Sequence, residues 1–124
     1  MIHLDTSALI DALTGPKRSA PRLRELVAGP QPLGISSIVL FEWLRGPRLK
    51  EELEAQEALF PGAAAVSFGT QEAEHAAHIY KSVKRPRGRE ADFAIAACAL
   101  THDALLWTLN PIDFRDVPDL QLLR

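Results

Sequence analysis

Several things are scarce in this 124-residue sequence, and each scarcity narrows the reading. There is one cysteine, which rules out an internal disulfide, and only 6% of residues are aromatic. No apolar run approaches the ~18 residues of a membrane-spanning helix. The opening Met1-Ile2-His3-Leu4-Asp5 has no basic segment leading into an apolar stretch, so no secretory signal is expected and a reducing cytosol is the expected home. Charge of one sign is also lacking, with a formal net charge of −2. No Gly-x-x-x-x-Gly-Lys phosphate loop occurs, and no lysine follows Lys84. The missing late lysine argues against a phosphoacceptor receiver domain. Thr6-Ser7 after Asp5, in place of Asp-x-Asp, argues against a dehalogenase-like phosphotransferase.

What is present is a globular composition, 47% hydrophobic and 24% charged. A chain of this length buries roughly two thirds of its unfolded surface, enough for one core without disulfides, so residues 1–124 are expected to form a single domain. Strand-like runs alternate with helical spacing. Ile2-His3-Leu4 reads as a strand, followed by a helix to Leu13 that Thr6 and Ser7 could cap, closed by Gly15-Pro16. Residues 19–28 read as a helix, Leu33-Gly34-Ile35 as a strand, 36–46 as a helix carrying Glu42, and 47–60 as an amphipathic helix. Ala64-Ala65-Val66 reads as a strand and 71–83 as a helix. A basic loop then leads into a helix with Asp92 in its first turn. Leu105–Leu109 and Leu120–Leu123 complete the strands. This order predicts an α/β three-layer sandwich, with a mainly parallel central sheet flanked by helices.

Four acids stand among apolar or small neighbours: Asp5, Glu42, Asp92 and Asp113. Carboxylates brought side by side repel, and one must take up a proton unless a cation compensates. Mg²⁺ or Mn²⁺ fills that role with oxygen ligands, usually a few carboxylates, waters and a substrate phosphate. The acids therefore point to metal-dependent phosphodiester chemistry. With those four set aside as ligands, the 14 basic residues are in slight excess, so the net charge is no bar to a polyanionic substrate.

Four segments together carry a family resemblance: Leu4-Asp5-Thr6-Ser7-Ala8-Leu9-Ile10; Phe41-Glu42-Trp43; Arg89-Glu90-Ala91-Asp92-Phe93-Ala94-Ile95-Ala96-Ala97; and Thr108-Leu109-Asn110-Pro111-Ile112-Asp113-Phe114. In this order the chain resembles PIN-domain ribonucleases, in particular VapC-type toxins of toxin–antitoxin pairs. The resemblance implies a PIN-like fold, Mg²⁺ or Mn²⁺ as cofactor, an RNA substrate, a VapB-like antitoxin partner and a homodimer. It implies that Asp5, Glu42 and Asp92 are the core acids and Asp113 the later one, with Asn110, Thr6 and Thr108 supporting the pocket. Asp5 and Asp92 are then the first choices for metal ligands, and Glu42 for ligand or base. Asp113 or Asn110 is left for a supporting or second-metal role. Leu109 and Pro111 depart from positions that are often polar in the family.

Other features have plainer readings beside functional ones. Lys84, Arg85, Arg87 and Arg89 could guide RNA toward Asp92, or form a solvated charge run. His75 and His78 share a helical face, but without a third ligand they read as a surface pair. Trp43 and Trp107 read as core or groove-lining residues and Cys98 as a buried, inert thiol. Leu9, Leu13, Leu49 and Leu53 are candidates for an apolar groove that takes an antitoxin arm. The alternative to an enzyme is a catalytically silent PIN-fold protein that binds RNA or regulates.

Overall fold

A computed structural model describes residues 1–124. Its sheet has three parallel strands, β1 (Ile2–Leu4), β2 (Leu33–Gly34) and β3 (Leu105–Trp107), in the order β2-β1-β3. Six helices flank it: α1 (Thr6–Leu13), α2 (Ala20–Ala28), α3 (Ser37–Arg45), α4 (Lys50–Leu59), α5 (Thr70–Ser82) and α6 (Glu90–Thr101). All three residues of β1 are buried, as expected of a central parallel strand covered on both faces. The α/β architecture is the expected one.

Helix α6 shows why small residues matter here. Phe93 through Ala99 are all buried, so beyond its first turn this helix has no solvent face and runs through the interior. Its alanines let α5, α3 and β3 approach closely. Around it the core gathers Leu4, Leu9, Val39, Trp43, Ile79, Ile95, Leu106 and Trp107. Both tryptophans are thus core residues. Cys98 is buried too, its thiol pushed up to about 11 by desolvation and then by Glu72, which makes it unreactive.

Two expected strands are absent. Ala64 instead ends a 3₁₀ turn, Gly62–Ala64, and Val66 makes only an isolated bridge with Ser36. The methyl groups of Ala64 and Ala65 offer little cross-strand packing to stabilise a pairing. Leu120–Leu123 likewise makes one bridge, Leu106 to Leu122, because Asp119 at φ 65° turns the chain just before it. Strand β3 ends at Trp107 rather than Leu109, since Thr108 and Leu109 leave the ladder for partners in the α1 turn. Helix α4 begins at Lys50 rather than Pro47. Arg48 folds back to donate to the Trp43 carbonyl at 2.9 Å, and the Leu49 amide bonds Glu52 at 2.8 Å to start the helix.

Candidate functional site

The strand order reverses about β1, so the crevice beyond its carboxyl end is where a parallel α/β sheet presents a site. Asp5 is the first residue past β1 and Thr108 the first past β3. The Asp5 amide closes the ladder on the Trp107 carbonyl at 2.8 Å. Asp5 occupies the N-cap position of α1, yet its side chain caps nothing. Its Oδ2 instead accepts from the Thr108 hydroxyl at 2.7 Å and the Ser7 hydroxyl at 2.9 Å. Both donors choose the same oxygen, which leaves Oδ1 for the pocket.

The hydroxyls expected to cap α1 are therefore used elsewhere. Thr6 donates to Glu42 Oε1, fixing a carboxylate from α3, while Glu42 Oε2 lies 3.5 Å from Arg45 Nη2, one turn further along α3. Ser7 ties the Asp5 carboxylate to the Leu109 amide, which donates to its Oγ at 3.0 Å. Thr108 accepts from the Asn110 amide at 3.0 Å. Through these bonds Asp5, Ser7 and Thr108 form one network, while Thr6 and Glu42 form a separate pair.

Asp5, Thr6, Ser7, Glu42, Arg45, Asp92 and Asn110 line a common open cleft of about 470 Å³. Asp92 enters from the first turn of α6, where the helix dipole favours a carboxylate. Its carboxyl is nevertheless pushed up to about 6, first by desolvation and then by Asp5, Asp113 and Glu42, with Arg89 pulling the other way. The cleft thus holds more negative potential than its own cations neutralise. Asp113 contributes to that field from the 3₁₀ turn Pro111–Phe114, but its exposed side chain does not line the cleft.

No three His, Cys, Asp or Glu side chains come together as a ready-made metal cage, and His75 and His78 have no third ligand. The donor set still suits a hard cation. Mg²⁺ takes one or two carboxylates and completes its shell with waters and substrate phosphate. Asp5 offers one free oxygen, and nothing in the protein hydrogen-bonds the Asp92 carboxylate.

Of the residues expected at the site, Asp5, Glu42, Asp92, Thr6 and Asn110 share the cleft, and Thr108 supports it through Asp5. Lys84, Arg85 and Arg87 are exposed ahead of α6, whereas Arg89 pairs with Asp116 at 2.6 Å. Two participants were not singled out from sequence. Ser7 bridges Asp5 and Leu109, and its signal was its place two residues after Asp5. Arg45 is the cation in the cleft, signalled by its position three residues after Glu42.

A second concavity, about 720 Å³, lies between α1, α2 and α4. Leu13, Leu23, Val27, Leu49, Ala55 and Leu59 give it an apolar floor, with Lys17, Arg24, Glu51 and Glu52 among its polar lining. Leu13 and Leu49 are there as expected. Leu9 is not; it is fully buried in the core, and Leu53 lies outside the lining.

Comparison with known proteins agrees with this geometry. A sequence model described as PIN domain matches residues 2–120. Ribonuclease VapC19 of Mycobacterium tuberculosis is 35% identical over 122 residues, covering 95% of each chain. Among solved structures, VapBC2 from Rickettsia felis bound to a promoter DNA fragment superposes with a TM-score of 0.75 at 25% identity, over 99% of this chain and 98% of that one. VapBC-1 from nontypeable Haemophilus influenzae gives 0.72 at 27% identity, over 99% and 97%. With its fold, its acidic cleft and its sequence all in agreement, the chain belongs to the PIN-domain family.

Proposed function

We propose that this chain is a metal-dependent endoribonuclease and the toxin of a type II toxin–antitoxin pair. The observation that carries the reading is Asp5, one oxygen clamped by Ser7 and Thr108, the other free in a cleft shared with Glu42 and Asp92. Similarity to a ribonuclease along nearly the whole chain supports the substrate class. The chemistry is hydrolysis of an RNA phosphodiester.

Asp5 Oδ1 and the Asp92 carboxylate would hold Mg²⁺ or Mn²⁺. Such an ion supplies Lewis acidity toward a phosphoryl oxygen and lowers the pKa of a coordinated water. Glu42, oriented by Thr6 and Arg45, lines the same cleft and can ligate or accept the proton of the attacking water. Arg45 and Asn110 also line the cleft and would offer a cation and an amide to charge that develops on a phosphate. Lys84, Arg85 and Arg87 would guide the RNA backbone to this cleft.

The α1–α2–α4 groove suits an amphipathic arm of the antitoxin, laid on its apolar floor. Both solved relatives described above are VapBC assemblies, which supports a partner of that kind. The functional unit is proposed to be a homodimer in the cytoplasm. Size-exclusion chromatography with light scattering reads the oligomeric state. No helix is long and apolar enough to cross a membrane.

The deciding experiment incubates partner-free wild type and Asp5→Asn with total cellular RNA, with and without Mg²⁺ or Mn²⁺, and maps the cut ends. Cuts that need both the metal and Asp5 are expected. Absence of metal-dependent cuts by the wild type would overturn the enzyme reading and leave an RNA-binding or regulatory protein.

A further inference from the structure

Arg89 stands apart from the basic residues that precede it. Lys84, Arg85 and Arg87 are exposed, while the Arg89 side chain is 23% exposed with both terminal nitrogens engaged. Nη1 donates to Asp116 Oδ2 at 2.9 Å and Nη2 to Asp116 Oδ1 at 2.6 Å, a two-pronged pair. Nη2 also donates to the Asp113 carbonyl at 2.8 Å, and Nη1 to the Arg85 carbonyl at 3.4 Å. The guanidinium lies over the ring of buried Phe93, 4.8 Å from its centroid.

We propose that Arg89 and Asp116 form a latch that positions the Asn110–Asp113 turn, whose Asn110 lines the acidic cleft, against Asp92, making Arg89 a positioning residue rather than an RNA contact. The inference rests on the nuclease reading and deepens it.

Residues Asn110 to Asp113 are all exposed, and Phe114 and Val117 are the nearest buried anchors beyond them. The Asn110 amide holds to Thr108, and the Asp113 amide folds back on the Asn110 carbonyl at 3.0 Å. Hydrogen bonds reaching Asn110–Asp119 from a distant part of the chain come from Arg89 alone. Arg89 is the N-cap residue of α6, three positions before Asp92. One side chain thus references this exposed turn to the helix that presents Asp92. The geometry requires a planar fork. Lysine keeps the charge but cannot bond both oxygens of Asp116 and the Asp113 carbonyl while stacking on Phe93. A guanidinium neutralised on both prongs also has little attraction left for phosphate.

The test compares Arg89→Lys, Asp116→Asn and the double variant with wild type. Asp116→Asn changes a half-exposed carboxylate and should preserve the fold if Arg89→Lys does not. Readouts are hydrogen exchange of the 109–116 amides, Mn²⁺ affinity by calorimetry, affinity for a labelled RNA without metal, and kcat and KM for cleavage. Each variant should speed exchange in 109–116 and weaken Mn²⁺ binding about 10-fold or more, the scale for losing a support behind metal ligands. Cleavage should fall in kcat with KM and metal-free RNA affinity unchanged, and the double variant should be no worse than either single. Wild-type exchange and Mn²⁺ affinity in Arg89→Lys or Asp116→Asn would overturn the latch. So would weakened RNA binding in Arg89→Lys with Asp116→Asn unaffected, since that is the behaviour of a phosphate contact. If wild type cleaves no RNA, the nuclease reading fails, while exchange and Mn²⁺ affinity still decide the latch.

Discussion

Thr108 donates its hydroxyl to Asp5 Oδ2 at 2.7 Å, across 103 residues of sequence. The bond joins the carboxyl ends of β1 and β3 and sets which Asp5 oxygen faces the cleft. Thr108→Val keeps the branched shape and removes the donor. It should weaken Mn²⁺ binding by about 10- to 100-fold, as expected for a group orienting a ligand. Unfolding free energy should change by only about 1 kcal/mol, the usual worth of one such bond. Calorimetry and urea unfolding on the same preparation separate the two effects. Wild-type Mn²⁺ affinity in Thr108→Val would remove the orienting role.

His3 is buried in β1, and neither ring nitrogen has a partner. Desolvation, then His102 with its ring 5.9 Å away, then the amino terminus push its pKa down to about 4 from 6.5. The folded state therefore disfavours the proton that the unfolded chain accepts. Stability from the neutral ring is fully present above pH 6.5 and is lost as pH falls toward 4, by about 3 kcal/mol at most. His3→Leu removes two unsatisfied buried nitrogens and the titration with them. Its stability advantage over wild type should grow steadily between pH 6.5 and 4 in urea unfolding. A difference that stays flat over that range would contradict the assignment.

Elements with strong local signals were legible in the sequence: β1, the gap at Gly15-Pro16, the small-residue helix α6, and the acids at element ends. The lost strands had no such signal. Ala64-Ala65-Val66 and Leu120–Leu123 read as strands by composition, but pairing depends on neighbours that a one-dimensional pattern does not contain. Site membership was legible for Asp5, Glu42 and Asp92, because Asp5 follows a strand, Asp92 lies in the first turn of a helix and Glu42 sits within one, all at places the topology fixes. The redirection of Thr6 and Ser7 was not. A hydroxyl after a strand predicts a helix cap equally well, and only the folded chain brings Glu42 and Thr108 within reach. Arg89 shows the same limit: a basic run in sequence does not reveal which member is already neutralised.

The groove between α1, α2 and α4 leaves Leu49 64% and Val27 51% exposed, more than an apolar surface without a partner warrants when gathered in one concavity. Val27→Glu and Leu49→Glu lie away from the acidic cleft and leave the core untouched. Each should abolish co-purification with the antitoxin on co-expression, while circular dichroism and the metal-dependent cutting of free protein stay as in wild type. Retained co-purification of both variants would place the antitoxin elsewhere.

Asp92 ties metal binding to stability with opposite signs. Its carboxyl titrates near 6 in the metal-free protein, above its ordinary value of 3.8, so the folded state holds this proton more tightly than the unfolded chain. The contribution is fully present below pH 3.8 and is lost as pH rises through 6. At pH 7.5 the ionised group strains the metal-free fold, by about 1 kcal/mol once solvent screening of a half-exposed carboxylate is allowed for. Asp92→Asn should therefore raise the stability of metal-free protein at pH 7.5 and leave it unchanged at pH 3.5. Saturating Mn²⁺ should reverse the order, since an ion bound only by the folded state stabilises wild type and finds a missing ligand in the variant. Thermal unfolding of both proteins, with Mn²⁺ and with chelator, tests both signs at once. An Asp92→Asn protein less stable than wild type in chelator at pH 7.5 would mean that Asp92 acts as a structural partner rather than as an uncompensated charge awaiting a cation.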